Sequence, residues 1–224
     1  MTANVLPWSY STLSAFETCP LRYYYTRVTR QVQEALHPAV AAGNRTHKLL
    51  EDAVSRGAHL PPDHAHHAPL VDYLRTLDGQ KLCEYKFAVT AGGAATTFFS
   101  KTAWYRGVID LAVVRPDHTA LLLDYKIGKI KENHDQLELF ALAGFAIWPH
   151  LEEIHTSYVW LQHGKQTRRT YNKADAPEIK SRFIPRVERM QAAAASDNWP
   201  ARPSGLCKGY CPVGKKLCAH CGLD

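Results

Sequence analysis

The chain has 224 residues, 46% of them hydrophobic and 21% charged, with a net charge of +6 and a pI near 9.0. Those values exclude a disordered chain and suit one globular domain with appendages. The basic balance favours a polyanionic partner such as nucleic acid, and no apolar run reaches the roughly 18 residues of a membrane span.

The opening stretch MTANVLPWSYSTLSAF lacks the basic and apolar regions of a secretory signal. A cytoplasmic protein is therefore expected, in which thiols stay reduced and clustered cysteines favour metal over disulfides. Helix is predicted from Ser9 to Arg30, broken at Cys19-Pro20 because proline suits a first helical turn and not a helix interior. Tyr23, Tyr24 and Tyr25 follow at once, with Arg22 and Arg27 beside them. A second helix is predicted from about His37 to Arg56, ending at Gly57. HLPPDHAHHAPL reads as a polar connecting loop, and its four histidines lack a metal-binding spacing.

At Cys83 the period changes. CEYKFAVT, WYRGVIDLAVV and ALLLDYKI are rich in β-branched and aromatic residues and are separated by the turn-forming AGGAA and RPDH. They predict three successive strands, mainly antiparallel. Asp135 to Trp148 returns to helix, HTSYVWLQ (His155 to Gln162) is a fourth strand, and a further helix runs from about Ala176 to Ala195. From Asn198 a proline-containing tail carries Cys207, Cys211, Cys218 and Cys221. The fold class is α/β, a central sheet flanked by helices with a cysteine-rich, metal-bound C-terminal tail. As one domain it divides into a helical part (1–82), a sheet core (83–165), a helical segment (166–198) and the tail (199–224).

Two of these strands contain residues that a buried strand avoids. Asp124 and Lys126 close an otherwise apolar strand, and residues two apart share a face. Asp110 lies among aliphatic neighbours in the strand before it, and a regular hairpin would set it beside Asp124. Two adjacent carboxylates repel unless a cation lies between them. A hard divalent ion accepts such oxygens, and a nearby Lys126 suits water attack on phosphorus. A lone Asp-x-Lys is more often a surface ion pair worth under about 1 kcal/mol.

Asp110, thirteen residues, then Asp124-Tyr125-Lys126 resembles the signature of the PD-(D/E)XK nuclease superfamily. The pattern is similar to its RecB-like branch, which includes CRISPR-associated and phage exonucleases. Gly43-Asn44-Arg45-Thr46-His47 matches that branch's upstream Gly-x-x-x-His, and Ser11 to Cys19-Pro20 matches its opening Ser-x-Leu-x-x-Phe-x-x-Cys-Pro. Gln136 matches the first residue of its downstream Gln-x-x-x-Tyr, with Phe140 in place of the tyrosine. The resemblance implies a restriction-endonuclease-like core with a mixed sheet. It assigns His47, Asp110, Asp124 and the Tyr125 carbonyl to Mg²⁺ or Mn²⁺, Lys126 to catalysis and Gln136 to orienting the site. Glu84 corresponds to an acidic residue carried on the first core strand by some members. Arg45, Arg106, Lys129, Lys131, Tyr23 and Tyr24 are then candidate DNA contacts.

Spacing alone lets the four tail cysteines hold zinc as two close pairs. The resemblance instead implies a four-iron four-sulfur cluster on Cys19, Cys207, Cys211 and Cys218, with Cys221 as a competing ligand. The implied function is a metal-dependent DNA exonuclease of recombination, repair or replication, with DNA as partner and recombination, replication or helicase proteins as further candidates. The small size and the lack of a Gly-x-x-x-x-Gly-Lys-Ser/Thr motif suit a stand-alone enzyme, a phage-encoded one acting in the host cytoplasm included. The alternatives are a non-catalytic nucleic-acid adaptor with a structural zinc site and a hydrolase of another phosphate ester.

Overall fold

The computed structural model describes residues 7–34 and 38–222, so the predicted helix start at His37 lies outside the described residues. Two compact units result. His37–Lys180 holds the sheet, while Met1–Leu36 and Ser181–Asp224 together make a unit from the two chain ends.

The sheet has six strands, β1 (Gln80–Thr90), β2 (Ala95–Thr96), β3 (Ala103–Val114), β4 (Thr119–Lys126), β5 (Glu153–Trp160) and β6 (Lys165–Asn172), in the order β2-β1-β3-β4-β5-β6. Every pairing is antiparallel except β4 with β5. That parallel pair requires a crossover, and a helix supplies it; with the helices numbered in chain order, it is α5 (Asp135–Ile147). Before the sheet, α3 (Pro38–Arg56) and α4 (Ala68–Thr76) pack on one face. Leu50, Ala53, Val71 and Leu74 meet Leu111, Val113, Leu123, Tyr125 and Val159 there. Helix α5 lies on the other face, close enough that a Cβ on Gly144 would fall 2.6 Å from Ile154 Cδ1 and 3.3 Å from Leu122 Cδ1. Adjacent Leu122 and Leu123 thus serve opposite layers, which is why β4 is apolar without alternation.

Two stretches depart from expectation. HLPPDHAHHAPL is not an open loop: Pro62–His67 is a 3₁₀ turn leading into α4, whose Val71 and Leu74 are buried. Residues 165–172 form β6, which the sequence conceals because KQTRRTYN is polar. An edge strand needs only its partner's hydrogen bonds and one sheltered face, so it carries no apolar signature.

In the unit of the chain ends, α1 (Tyr10–Thr18) begins at a Ser9–Thr12 capping box. Pro20 opens α2 (Pro20–Tyr23), which continues as a π-helical turn over Tyr24–Val28. The long α6 (Ala176–Ser196) belongs to this unit from Ser181 onward. Its Arg186 grips Glu17 through two hydrogen bonds of 2.7 Å. Tyr24 stacks on Trp199 at 5.4 Å and Tyr23 lies 5.9 Å from the same ring. These tyrosines, the candidate DNA contacts, pack against that ring. No helix among the described residues is long and apolar enough to cross a membrane.

Candidate active site

The site begins with a break in strand alternation. Cys83 packs on the α3–α4 side, whereas Phe87 meets Phe140 of α5 at 6.2 Å. Residues four apart share a face in a regular strand, so β1 turns over between them. Glu84 makes the turn, at φ +48°. A left-handed residue within a strand re-aims its side chain without a shift in register. On β3, Leu111 belongs to the α3–α4 layer while Tyr105 packs on Phe87, so the turnover crosses to β3 as well. The flanking pairs Cys83–Leu111 and Tyr85–Ile109 set Glu84 opposite Asp110.

Pairing of β3 with β4 stops at Leu111–Leu123. The next rung would put Asp110 against Asp124. Instead, Asp110 Oδ2 accepts the backbone N–H of Tyr125 at 2.6 Å. His47 arrives from α3, beside that helix's buried Thr46 and Leu50. Its ring stands edge-on to Tyr125 at 5.7 Å, and its Nδ1 is 3.4 Å from Asp110 Oδ1. His47, Glu84 and Asp110 each bring one donor atom within 4.8 Å of the others. Donors on a small octahedral ion with bonds of about 2.1 Å are separated by roughly 3 Å when adjacent and about 4.2 Å when opposite. One imidazole and two carboxylates at this spacing fit a divalent cation in kind and in size.

Asp124 belongs to a second, linked group. Lys126 Nζ lies 2.7 Å from Asp124 Oδ2 and donates to Gln136 Oε1 at 2.8 Å. Gln136 Nε2 in turn donates to Asp124 Oδ1 at 2.7 Å. This closed ring of three side chains sits where the first turn of α5 faces the end of β4. Tyr158 completes it from β5, opposite Asp124 in register, with its ring 5.1 Å from Lys126 Nζ. Nothing in the local sequence marks Tyr158; only the parallel crossover brings it there.

The electrostatics follow from burial and crowding. Burial, and then the Asp110 charge against the opposing pull of Lys126, set the Asp124 carboxyl at about 6. Burial and Asp110 push Glu84 up as well. Burial disfavours the His47 imidazolium, but its hydrogen bond to Asp110 and the charges of Asp110, Asp124 and Glu84 outweigh this and raise its pKa. The site therefore concentrates negative charge that a cation relieves.

The remaining predicted contacts are dispersed. Arg45 pairs with Asp63 at 3.1 Å, and Arg106 lies over the Phe98 ring at 5.5 Å. Lys129 and Lys131 are exposed in the β4–α5 connection. Phe140 is buried against Phe87 and offers no surface for stacking on a ligand. None of the six cysteines forms a disulfide. Among the described residues no three cysteine sulfurs come within 4.8 Å of one another, whereas thiolates on one tetrahedral zinc are separated by about 3.8 Å.

A family described as the PD-(D/E)XK nuclease superfamily matches residues 7–219. A candidate exonuclease from Eubacterium rectale has a similar solved structure, with 12% identity and a TM-score of 0.52, over 93% of this chain and 88% of that one. The crystal structure of SSO0001 is similar over 92% of this chain and 83% of that one, with 14% identity and a TM-score of 0.44. Comparison with curated proteins gives no match.

Proposed function

Because the chain belongs to the PD-(D/E)XK nuclease superfamily, we propose that it is a divalent-metal-dependent DNA nuclease of the RecB-like kind, acting on DNA ends or single strands. The observation that carries this reading is the His47, Glu84 and Asp110 donor cluster beside Lys126, itself held by Asp124 and Gln136. Mg²⁺ or Mn²⁺ in that cluster would supply Lewis-acid stabilisation of charge on the scissile phosphate. Asp110 presents one oxygen to the cluster while its other oxygen is fixed by Tyr125 N–H. Asp124 and Gln136 hold the Lys126 ammonium so that it can hydrogen-bond the attacking water and offset charge on the phosphate. Exonuclease action agrees with the description of the Eubacterium rectale neighbour, whose likeness otherwise extends to the fold.

For the cysteines we favour a four-iron four-sulfur cluster on Cys19, Cys207, Cys211 and Cys218. All of them belong to the unit formed by the chain ends. The backbone N–H of Arg202 donates to Cys19 Sγ and that of Ser204 to Cys207 Sγ, both at 3.4 Å, donors that favour an anionic thiolate ligand. Cys221 Sγ is turned onto the Cys211 carbonyl at 3.3 Å, which supports leaving it out. Anaerobically prepared protein should then be brown and carry iron and sulfide; colourless protein with stoichiometric zinc defeats the assignment.

The test of the nuclease reading is hydrolysis of end-labelled single- and double-stranded DNA with Mg²⁺ or Mn²⁺. Lys126→Ala should lose at least about 100-fold in rate. Wild-type protein that binds DNA but is inert with both metals would favour the adaptor, and an unchanged Lys126→Ala rate would displace the site.

A further inference from the structure

We propose that one face of the β1–β3 hairpin is a binding track for unpaired DNA, with a base stacked on Phe99 and phosphates held by Lys86 and Arg106. The choice of DNA as ligand rests on the nuclease reading; the track itself rests on the geometry that follows.

Arg106 and Val108 alternate along β3, and Lys86 pairs with Val108 across to β1, so the three side chains share a face. Lys86 is exposed, and Arg106 and Val108 are half-exposed. The strip starts two residues from Asp110, and Arg106 lies about 13 Å from it along the strand. Beyond β1 the chain folds back through residues 91–102. Phe98 lies beneath the Arg106 guanidinium at 5.5 Å, and Phe99 meets Phe98 edge-on at 5.1 Å.

Phe99 is 83% exposed. So open a phenylalanine gains little from folding, and its ring face is available to a flat partner. Among the described residues neither Lys86 nor Arg106 pairs with a carboxylate. Two unneutralised cations and an open aromatic therefore lead away from an acidic centre on the same strands. A polyanion that carries flat rings complements all three features. Unpaired DNA is favoured over duplex because a stacking face is open on every base of a single strand and closed within a helix.

Metal-free protein and fluorescent oligonucleotides provide the test, with anisotropy read for a single strand and for a blunt duplex of the same sequence. The wild type should prefer the single strand. Phe99→Ala should weaken single-strand binding about tenfold, equivalent to ~1.4 kcal/mol, and leave the duplex within about twofold. Phe99→Trp should retain the preference. Arg106→Ala should lower the salt dependence of single-strand binding by about one ion. Because Phe99 is exposed, loss of folding does not confound the substitution. Phe99→Ala binding like wild type, or equal weakening of both ligands, overturns the track. If wild-type protein is inert with both metals while the Phe99 effect persists, the track stands and the nuclease reading falls.

Discussion

Asp110 Oδ2 accepts the Tyr125 backbone N–H at 2.6 Å one rung beyond the last β3–β4 pair, Leu111–Leu123. The carboxylate replaces a main-chain carbonyl at the point where the two strands part. Pairing there would have set Asp110 against Asp124. With the strands open, Asp110 turns its other oxygen to His47, and Asp124 is left to Lys126 and Gln136. One side chain thus secures the end of β4 and contributes to the donor cluster.

This double duty separates stability from activity. Asp110→Ala leaves the Tyr125 N–H without its acceptor and should destabilise the protein by about 1–3 kcal/mol. Asp110→Asn keeps an acceptor oxygen and should lose less than about 1 kcal/mol. Both should abolish hydrolysis. Urea denaturation of the metal-free proteins checks the difference, and equal stability of the two variants would remove the structural role.

Asp124 makes stability depend on pH. Its carboxyl stands at about 6 in the folded protein against 3.8 for an unperturbed group, chiefly through burial. A raised folded pKa means that its contribution is fully present below about pH 4 and is lost as pH rises through about 6. Metal-free Asp124→Asn should therefore match wild type near pH 4 and exceed its stability near pH 7. Superimposable stability–pH profiles for the two proteins would show that burying this charge has no net cost.

Divalent metal should stabilise the His47, Glu84 and Asp110 cluster. Mn²⁺ at about 100 times its dissociation constant should stabilise wild type by ~2.7 kcal/mol, read as a rise in melting temperature. Glu84→Gln should reduce the rise. The affinity should fall as pH drops, because a protonated His47, favoured by Asp110, cannot serve as a ligand. A melting temperature indifferent to Mn²⁺ counts against the cluster.

Glu84 adopts φ +48°, which favours glycine. Glu84→Gly should be more stable than Glu84→Ala by about 1 kcal/mol, since only the glycine relieves the backbone while both remove the carboxylate. Both should bind Mn²⁺ less tightly than wild type. Identical stabilities would mean that the left-handed turn carries no strain.

Gln136 bridges Asp124 and Lys126. Gln136→Ala should lower kcat about tenfold with little change in KM, because it loosens the ammonium without removing it. A change confined to KM would assign Gln136 to substrate binding.

Periodicity alone was enough to expose the odd placement of Asp110, Asp124 and Lys126, because a polar residue in an otherwise apolar strand is visible locally. It also located α5 and the four longer strands other than β6, whose amphipathic or apolar patterns reflect the layers they contact. The edge strand β6 was hidden, since a polar sequence that pairs along one side leaves no hydrophobic trace. Tyr23 and Tyr24 pack on Trp199, some 175 positions later, a contact that no local pattern reveals. The place of Glu84 in the donor cluster depended on a single left-handed residue opposite Asp110, and that of Tyr158 on a parallel crossover. Composition and spacing along the chain determined which chemistry was present. Which carboxylate meets His47, and which meets Lys126, was decided only by where β3 and β4 part, a non-local balance of strand pairing against charge repulsion.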